Sequence, residues 1–207
     1  MKYLVKTYDR IAPYYAKANF GPFWKREFPI FKKLIKGKKV VDLGCGAGRD
    51  AVIFLKHKFD YLGVDISKGM LAEARKRAPK GKFKAMDLYK LKLPKESFDG
   101  FWASASLLHI PKKKIVNVLK SARALLREGG IGFISVKKKK KLGEEILIKD
   151  MYEGRVKNAK RFFANYTKSE FKTILEKSGF TVIKITKKWG AKARAFLALF
   201  FCEEKII

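Results

Sequence analysis

Residues 40–50 read VVDLGCGAGRD, from Val40 to Asp50. Taken from residue 38, the valine-rich start reads as a buried strand closed by glycine. Gly44, Gly46 and Gly48 then make a tight turn, and Ala51, Phe54 and Leu55 give helical spacing over 47–58. A strand, a glycine-rich turn and a helix in that order let a ligand approach the backbone. They also offer it free N–H groups where the helix starts. A dinucleotide fingerprint needs glycine at the sixth position counted from Gly44, which here is Arg49. No Gly-Lys-Ser/Thr follows for a Walker-type phosphate loop. Both of those ligand classes are disfavoured.

Outward from this stretch, strands and helices alternate. Strands are expected over 61–64, 83–86, 98–103 and 131–136, with helices over 67–77 and 112–126. Ser67 is placed to cap the first of these helices, and Pro111 suits the entry of the second. Gly129-Gly130 is read as ending it. Alternation of this kind means right-handed βαβ units and a parallel sheet with helices on both faces. Two helical stretches precede it, 5–19 and 23–35, punctuated by Gly21 and Pro22. At the other end, a helix over 167–177, capped by Thr167 or Ser169, is followed by strands over 180–185 and 195–202. With no helix between them, those strands can pair antiparallel at the end of the sheet. Residues 137–165 are read as an insertion, partly helical.

Two acids complete the pattern. Asp65 ends the second strand, 21 residues after Gly44, where a carboxylate can accept both hydrogens of a ribose diol. Asp87 ends the third strand, in reach of an adenine amino group. Either acid alone reads as a cap or loop carboxylate. Three strand-end features in register point to a ligand beyond the carboxyl ends of the strands.

On these residues the chain resembles the class I S-adenosylmethionine-dependent methyltransferases. The matches are DLGCGAG (42–48), GVD (63–65), AMDL (85–88), FDGFWASASLLHI (98–110), LREGGIGFISVK (126–137) and the late strand pair. Tyr8, Asp9, Ala12 and Tyr15 match the Tyr-Asp-x-x-Ala-x-x-Tyr segment that folds over the cofactor in members of this type. The resemblance covers Tyr8 to Glu203. It implies a Rossmann-like, seven-stranded, mostly parallel α/β sheet with an antiparallel C-terminal strand. An N-terminal helical lid (1–36) precedes a cofactor-binding core (37–136), an insertion (137–166) and a C-terminal helix and strand pair (167–207), all in one domain. Gly44 and Gly46 would lie along the methionine part of the cofactor, with Asp42 and Cys45 beside them. Asp65 would bind the ribose, with Ile66 and Met70 close by. Met86, Asp87 and Leu88 would hold the adenine, and Ala103 or Ser104 would line the reacting sulfur. The cofactor implied is S-adenosylmethionine, with S-adenosylhomocysteine as product and no metal.

Methyl transfer from a sulfonium needs alignment and exclusion of water more than acid–base groups. Tyr8, Tyr14 and Tyr15 are candidates to face the sulfonium cation. His109, after the fourth strand, is the candidate base, its alternative being to pack or cap the turn before Pro111. Arg161 and Tyr166 could hold a substrate carboxylate or phosphate, or could serve as capping or surface residues. Cys45 reads as a space-filler, Cys202 as a core strand residue and His57 as a surface residue.

Composition bounds the partners. The chain has 207 residues, 47% hydrophobic, enough for a sizeable core. Its 39 Lys and 10 Arg against 19 acids give a net charge of +30. With only 11 Glu, this is not an ion-pair surplus. Such charge suits an anionic partner and leaves nucleic acid open, but scarce Arg argues against sequence-specific readout. The lysine run 137–141 follows the fifth strand, beside the ligand end of the sheet. Two distant cysteines, no signal-peptide pattern and no spanning apolar run imply a reduced, cytoplasmic protein without membrane insertion. A small-molecule acceptor is favoured because lid and insertion can close over a pocket. An RNA or protein methyltransferase and a non-catalytic cofactor-binding protein are the alternatives. Ala103-Ser104-Ala105 stands where an Asn/Asp-Pro-Pro-Tyr/Phe amine site would be.

Overall fold

The computed structural model describes residues 2–19, 21, 23–138, 145–149, 156, 159–190 and 194–203. Its main sheet has seven strands: β1 (Lys39–Leu43), β2 (Asp60–Asp65), β3 (Lys82–Ala85), β4 (Phe98–Ser104), β5 (Leu126–Lys137), β8 (Phe180–Gly190) and β9 (Arg194–Glu203). They lie in the order β3-β2-β1-β4-β5-β9-β8. Pairing is parallel from β3 to β5, and β9 runs antiparallel to both β5 and β8. The crossovers carry α3 (Ala51–Lys56), α4 (Lys68–Arg77) and α5 (Lys112–Arg123), and α6 (Lys168–Glu176) precedes β8.

Alternation along the strands divides the core. Val41, Phe101, Ile134 and Leu199 point to one face, where Ile115 and Leu119 of α5 and Phe171 and Leu175 of α6 cover them. Their neighbours Val40, Trp102, Phe133 and Phe200 point to the other, under α3 and α2 (Glu27–Leu34). Trp102 and Phe133 stack at 3.7 Å there. Burial on both faces explains why the central strands read as continuous apolar runs. The caps follow chemistry legible in the sequence. Ser67 Oγ accepts from Met70 N, and Thr167, rather than Ser169, forms a capping box with Glu170.

Four elements differ from the sequence-based expectation. Helix α3 starts at Ala51, not 47, because residues 44–50 are spent in the glycine turn. Helix α5 ends at Arg123, and Gly129, at φ +70°, sits within β5 in the register shift between the pairs Phe98–Leu126 and Gly100–Ile131. Within 137–166, β6 (Glu145–Lys149) and β7 (Lys160–Ala164) pair antiparallel as a second sheet. The short apolar runs Ile146–Ile148 and Phe162–Ala164, rich in β-branched and aromatic residues, outweigh the helical reading. Finally, α1 (Lys2–Ala18) covers the strand ends, whereas α2 packs Phe28 and Phe31 into the sheet core. Trp102 anchors that core at 1% exposure. Trp102→Ala is expected to lower stability by about 3–5 kcal/mol, read as a lower urea midpoint.

Candidate active site

A cavity opens at the carboxyl ends of the parallel strands. The strand order reverses between β1 and β4, and such switch points leave a crevice between adjacent loops. The glycine turn after β1 forms one wall, and the segment after β4, with its 3-10 turn Leu107–His109, forms another. Helix α1 supplies Leu4, Val5, Tyr8 and Tyr15 as a roof.

Asp65 organises the floor. Gly46 N donates to its Oδ2 and Ser67 N to its Oδ1, each at 2.9 Å. Burial pushes its pKa up, against the pull of these N–H groups. The carboxylate still has lone-pair capacity for a ligand beyond these donors. The turn it braces needs glycine: Gly44 has φ +79°, and a Cβ there would fall 2.4 Å from Ser106 Cβ. Asp42 is buried, and Tyr61 donates its hydroxyl to Oδ2 at 2.7 Å. Asp42 Oδ1 has no partner, and the residue lines the cavity. Burial, then the nearby Asp50, holds the Asp42 carboxyl well above the usual range. Asp87 accepts from Tyr89 N at 2.9 Å and lines the cavity with Leu88 and Ile66.

Arg49, legible in the sequence only as a missing glycine, has a structural part. It forks onto Asp50, with Nε–Oδ1 at 2.7 Å and Nη2–Oδ2 at 2.9 Å, and donates to Ser104 Oγ at 2.8 Å. Trp102 Nε1 donates to Asp50 and Trp24 Nε1 to Ser104 Oγ. Burial raises the Asp50 pKa, but the Arg49 charge and these donors leave it below the usual value.

The roof is tied by Tyr8. His109 Nδ1 lies 2.6 Å from the Phe162 carbonyl oxygen. A carbonyl only accepts, so Nδ1 carries the proton, and Nε2 accepts from the Tyr8 hydroxyl at 2.7 Å. Burial lowers the His109 pKa to about 3, with Arg161 and Lys137 adding to the effect. The ring is neutral and both nitrogens are engaged. Arg161 Nη1 donates to the Tyr8 oxygen at 3.4 Å. Burial also pushes the Tyr8 phenol up, and it stays protonated.

Tyr8, Tyr15, Asp42, Gly44, Cys45, Gly46, Asp65, Ile66, Met70, Asp87, Leu88, Ser104 and His109 therefore meet at one cavity. Five expected residues lie off its lining, among them Tyr14, which is exposed at 37%. Ala103 alternates into the apolar core, leaving its neighbour Ser104 at the wall. Met86 is packed in the same core, its N donating to Asp65 O. Arg161 stands behind Tyr8, and Tyr166 packs edge-on against Phe171 at 4.7 Å. Of the lysine run, Lys137 Nζ lies 3.0 Å from the centre of the Phe163 ring, and 139–141 lie outside the described residues. Burial raises the Cys45 pKa well above the usual thiol value, so it remains a thiol.

The sequence reading missed Leu4, Val5, Asn19, Asp50, Arg77, Ala105, Ser106 and Ile110. Leu4 sits four residues before Tyr8 on one helix face, a usable periodicity. Ala105, at φ +53°, had no such signal, since an alanine there does not announce a left-handed backbone.

Residues 40–130 match the family described as a methyltransferase domain. Over that stretch the chain resembles the S-adenosylmethionine-dependent methyltransferases. An uncharacterised protein of Methanocaldococcus jannaschii is 31% identical over 159 residues, 72% of this chain and 42% of that protein. The 27-O-demethylrifamycin SV methyltransferase of Amycolatopsis mediterranei is 33% identical over 101 residues, 45% of this chain and 36% of that protein. The chain thus spans about two fifths of the length of these curated relatives. The solved 1,6-didemethyltoxoflavin-N1-methyltransferase of Burkholderia thailandensis, with 1,6-didemethyltoxoflavin and S-adenosylhomocysteine bound, shares the fold. Its TM-score is 0.72 at 23% identity, over 97% of this chain and 88% of that one.

The residues lining this cavity fit S-adenosylmethionine as cofactor. Asp65 keeps lone pairs for a ribose diol, and the orphaned Asp42 Oδ1 suits a cationic donor. A Cβ on Gly46 would meet nothing within 4 Å, leaving that backbone open to a ligand. Among the described residues no cluster of three metal-ligating side chains forms, and no helix is long and apolar enough to cross a membrane.

Nitrogen-15 spectra of the two histidines test the roof. His109 is expected to show protonated Nδ1 and bare Nε2, with a titration midpoint of about 3. Its folded value lies below the unfolded value of about 6.5, so the folded state binds fewer protons between them. Its contribution to stability is full above about 6.5 and is lost as pH falls towards the folded midpoint. Protonated Nε2, or a midpoint near the unfolded value, contradicts the geometry.

Proposed function

We propose that this chain transfers the methyl group of S-adenosylmethionine to a small acceptor. The observation that carries this reading is the roof. Helix α1 lies across the strand-end acids and roofs the cavity with Leu4, Val5, Tyr8 and Tyr15. The names of relatives that act on rifamycin and toxoflavin precursors support the same acceptor class.

S-adenosylmethionine brings an already activated methyl, so the chain has to hold, orient and dehydrate. Asp65 takes the ribose diol. Asp87, with Ile66 and Leu88, takes the adenine. Gly44, Gly46 and Asp42 take the methionine part. Tyr8 and Tyr15 present ring faces and edges near the cationic end. His109 contributes by holding the Tyr8 hydroxyl at the cavity wall, since its own lone pair is already engaged. Arg161 and Lys137 flank Phe163 beside that wall and favour an acceptor bearing a carboxylate or phosphate.

The net charge of +30 favours a second reading, RNA as acceptor. Tritiated-methyl S-adenosylmethionine, incubated with fractionated cell extract, separates the two. Label in the small-molecule fraction is expected; label in RNA or protein overturns the acceptor class, and absence of transfer despite binding indicates a non-catalytic protein. RNA affinity is expected to fall with a log–log salt slope of about −0.7 per phosphate contact and to be weak by about 0.15 M salt. Submicromolar RNA binding persisting at that salt favours the second reading.

The cofactor assignment has its own check. Asp65→Asn is expected to weaken S-adenosylhomocysteine binding at least about tenfold by calorimetry, as a charge-assisted acceptor becomes a donor facing other donors. S-adenosylhomocysteine should raise the melting temperature of the parent and NAD should not. Unchanged affinity, or stabilisation by NAD, contradicts the assignment.

A further inference from the structure

The roof helix α1 touches α4 through bare backbone at one point. A Cβ built on Gly69 would lie 2.7 Å from Asp9 O, 2.9 Å from Asp9 Cα and 3.2 Å from Asp9 C. A flexible side chain could swing aside from such a contact; a helix backbone moves only as a unit. Gly69 is not at positive φ, so the α4 backbone itself does not require glycine there. Alanine is the better helix former, and the cost of Gly69 to α4 is explained by the close approach of α1.

The same point is bonded. Asp9 Oδ1 accepts from Gly69 N at 2.9 Å and from Ser67 Oγ at 2.7 Å. Ser67 Oγ in turn accepts from Met70 N at 3.1 Å. Asp9 thus serves the start of α4 as an added cap delivered by another helix. Small residues continue the close packing: Ala12 and Ala16 of α1 cluster with Ile11, Ala47 and Met70. At the far end of α4, Arg77 donates to the Ala16 and Asn19 carbonyl oxygens near the end of α1. Helix α4 therefore grips α1 at both ends, and Tyr8 reaches His109 from the residue adjacent to Asp9.

We infer that Gly69 is a positioning residue for the cofactor: it seats α1, through Asp9, at the height that closes Tyr8 and Tyr15 over the cavity. This rests on the reading of that cavity as the S-adenosylmethionine site. A methyl group at position 69 lifts α1 off α4, loosens the Tyr8–His109 bond and leaves the sheet untouched.

The test uses the full chain. In Gly69→Ala, S-adenosylhomocysteine affinity by calorimetry is expected to fall at least about tenfold, because the roof is no longer preorganised. Amide hydrogen exchange should quicken across residues 2–18 but not in β1 or β4, and the His109 Nε2 resonance should shift as Tyr8 withdraws. Lys68→Ala, on the exposed side of the same turn, should match the parent. Asp9→Ala, which leaves α4 its own sequence, should give the same pattern in weaker form and serves if Gly69→Ala does not fold. Affinity within about twofold of the parent, with α1 protection and the His109 signal unchanged in the variants, overturns the proposal. If the parent itself does not bind S-adenosylhomocysteine, the cofactor reading fails, and exchange in α1 still decides whether Gly69 seats the helix.

Discussion

The Asp65 carboxylate is the joint on which the site depends. One oxygen holds the glycine turn through Gly46 N and the other holds the entry of α4 through Ser67 N. Ser67 caps α4 and donates to Asp9 of the roof helix. A single side chain at the end of β2 thereby relates the turn after β1, the helix after β2 and the lid. Burial works against its charge, and the backbone donors offset part of that cost. The same carboxylate is the group best placed to receive a ribose, so binding and local architecture are coupled through one residue.

The rest of the site follows from sheet direction. Parallel strands deliver their carboxyl ends to one edge, and the reversal between β1 and β4 leaves room there. Positions alternate across the strand, so Ala103 belongs to the core and Ser104 to the cavity. Trp102 belongs to the opposite face, where its indole N–H steadies Asp50 and, through Asp50, Arg49. The lid then brings a phenol to a histidine whose tautomer β7 has already set through the Phe162 carbonyl. Three segments distant in sequence meet in that bond, and the neutral imidazole suits an enclosed, poorly hydrated wall.

Much of this was legible beforehand because it depends on short-range pattern. VVDLGCGAGRD announced a strand, a turn needing positive φ and a ligand-facing edge. Asp65 and Asp87 followed from strand ends, and the Ser67 cap from its place before an apolar repeat. The sheet order came with the family resemblance, and the antiparallel last strand from the missing helix between two late strands. What escaped depends on long-range contact. Met86 and Ala103 were one pleat away from the cavity, and a strand boundary uncertain by a residue moves a side chain to the other face. Arg49 was noticed for the glycine it replaced, while its partners Asp50 and Ser104 are fixed only by folding. The β6–β7 pair lies in a lysine-rich stretch whose charge masked its two short apolar runs. Tyr8 could be named as a lid residue, but its bond to His109 spans 101 positions and has no local signature.

The most direct measurement of the central claim is a crystal structure of the chain grown with S-adenosylhomocysteine. The ribose hydroxyls are expected within about 2.5–3.2 Å of the Asp65 oxygens, the adenine between Ile66 and Leu88 near Asp87, and α1 still seated with Tyr8 on His109. A ligand bound away from the strand ends, or a ribose turned from Asp65 towards another acid, would contradict it.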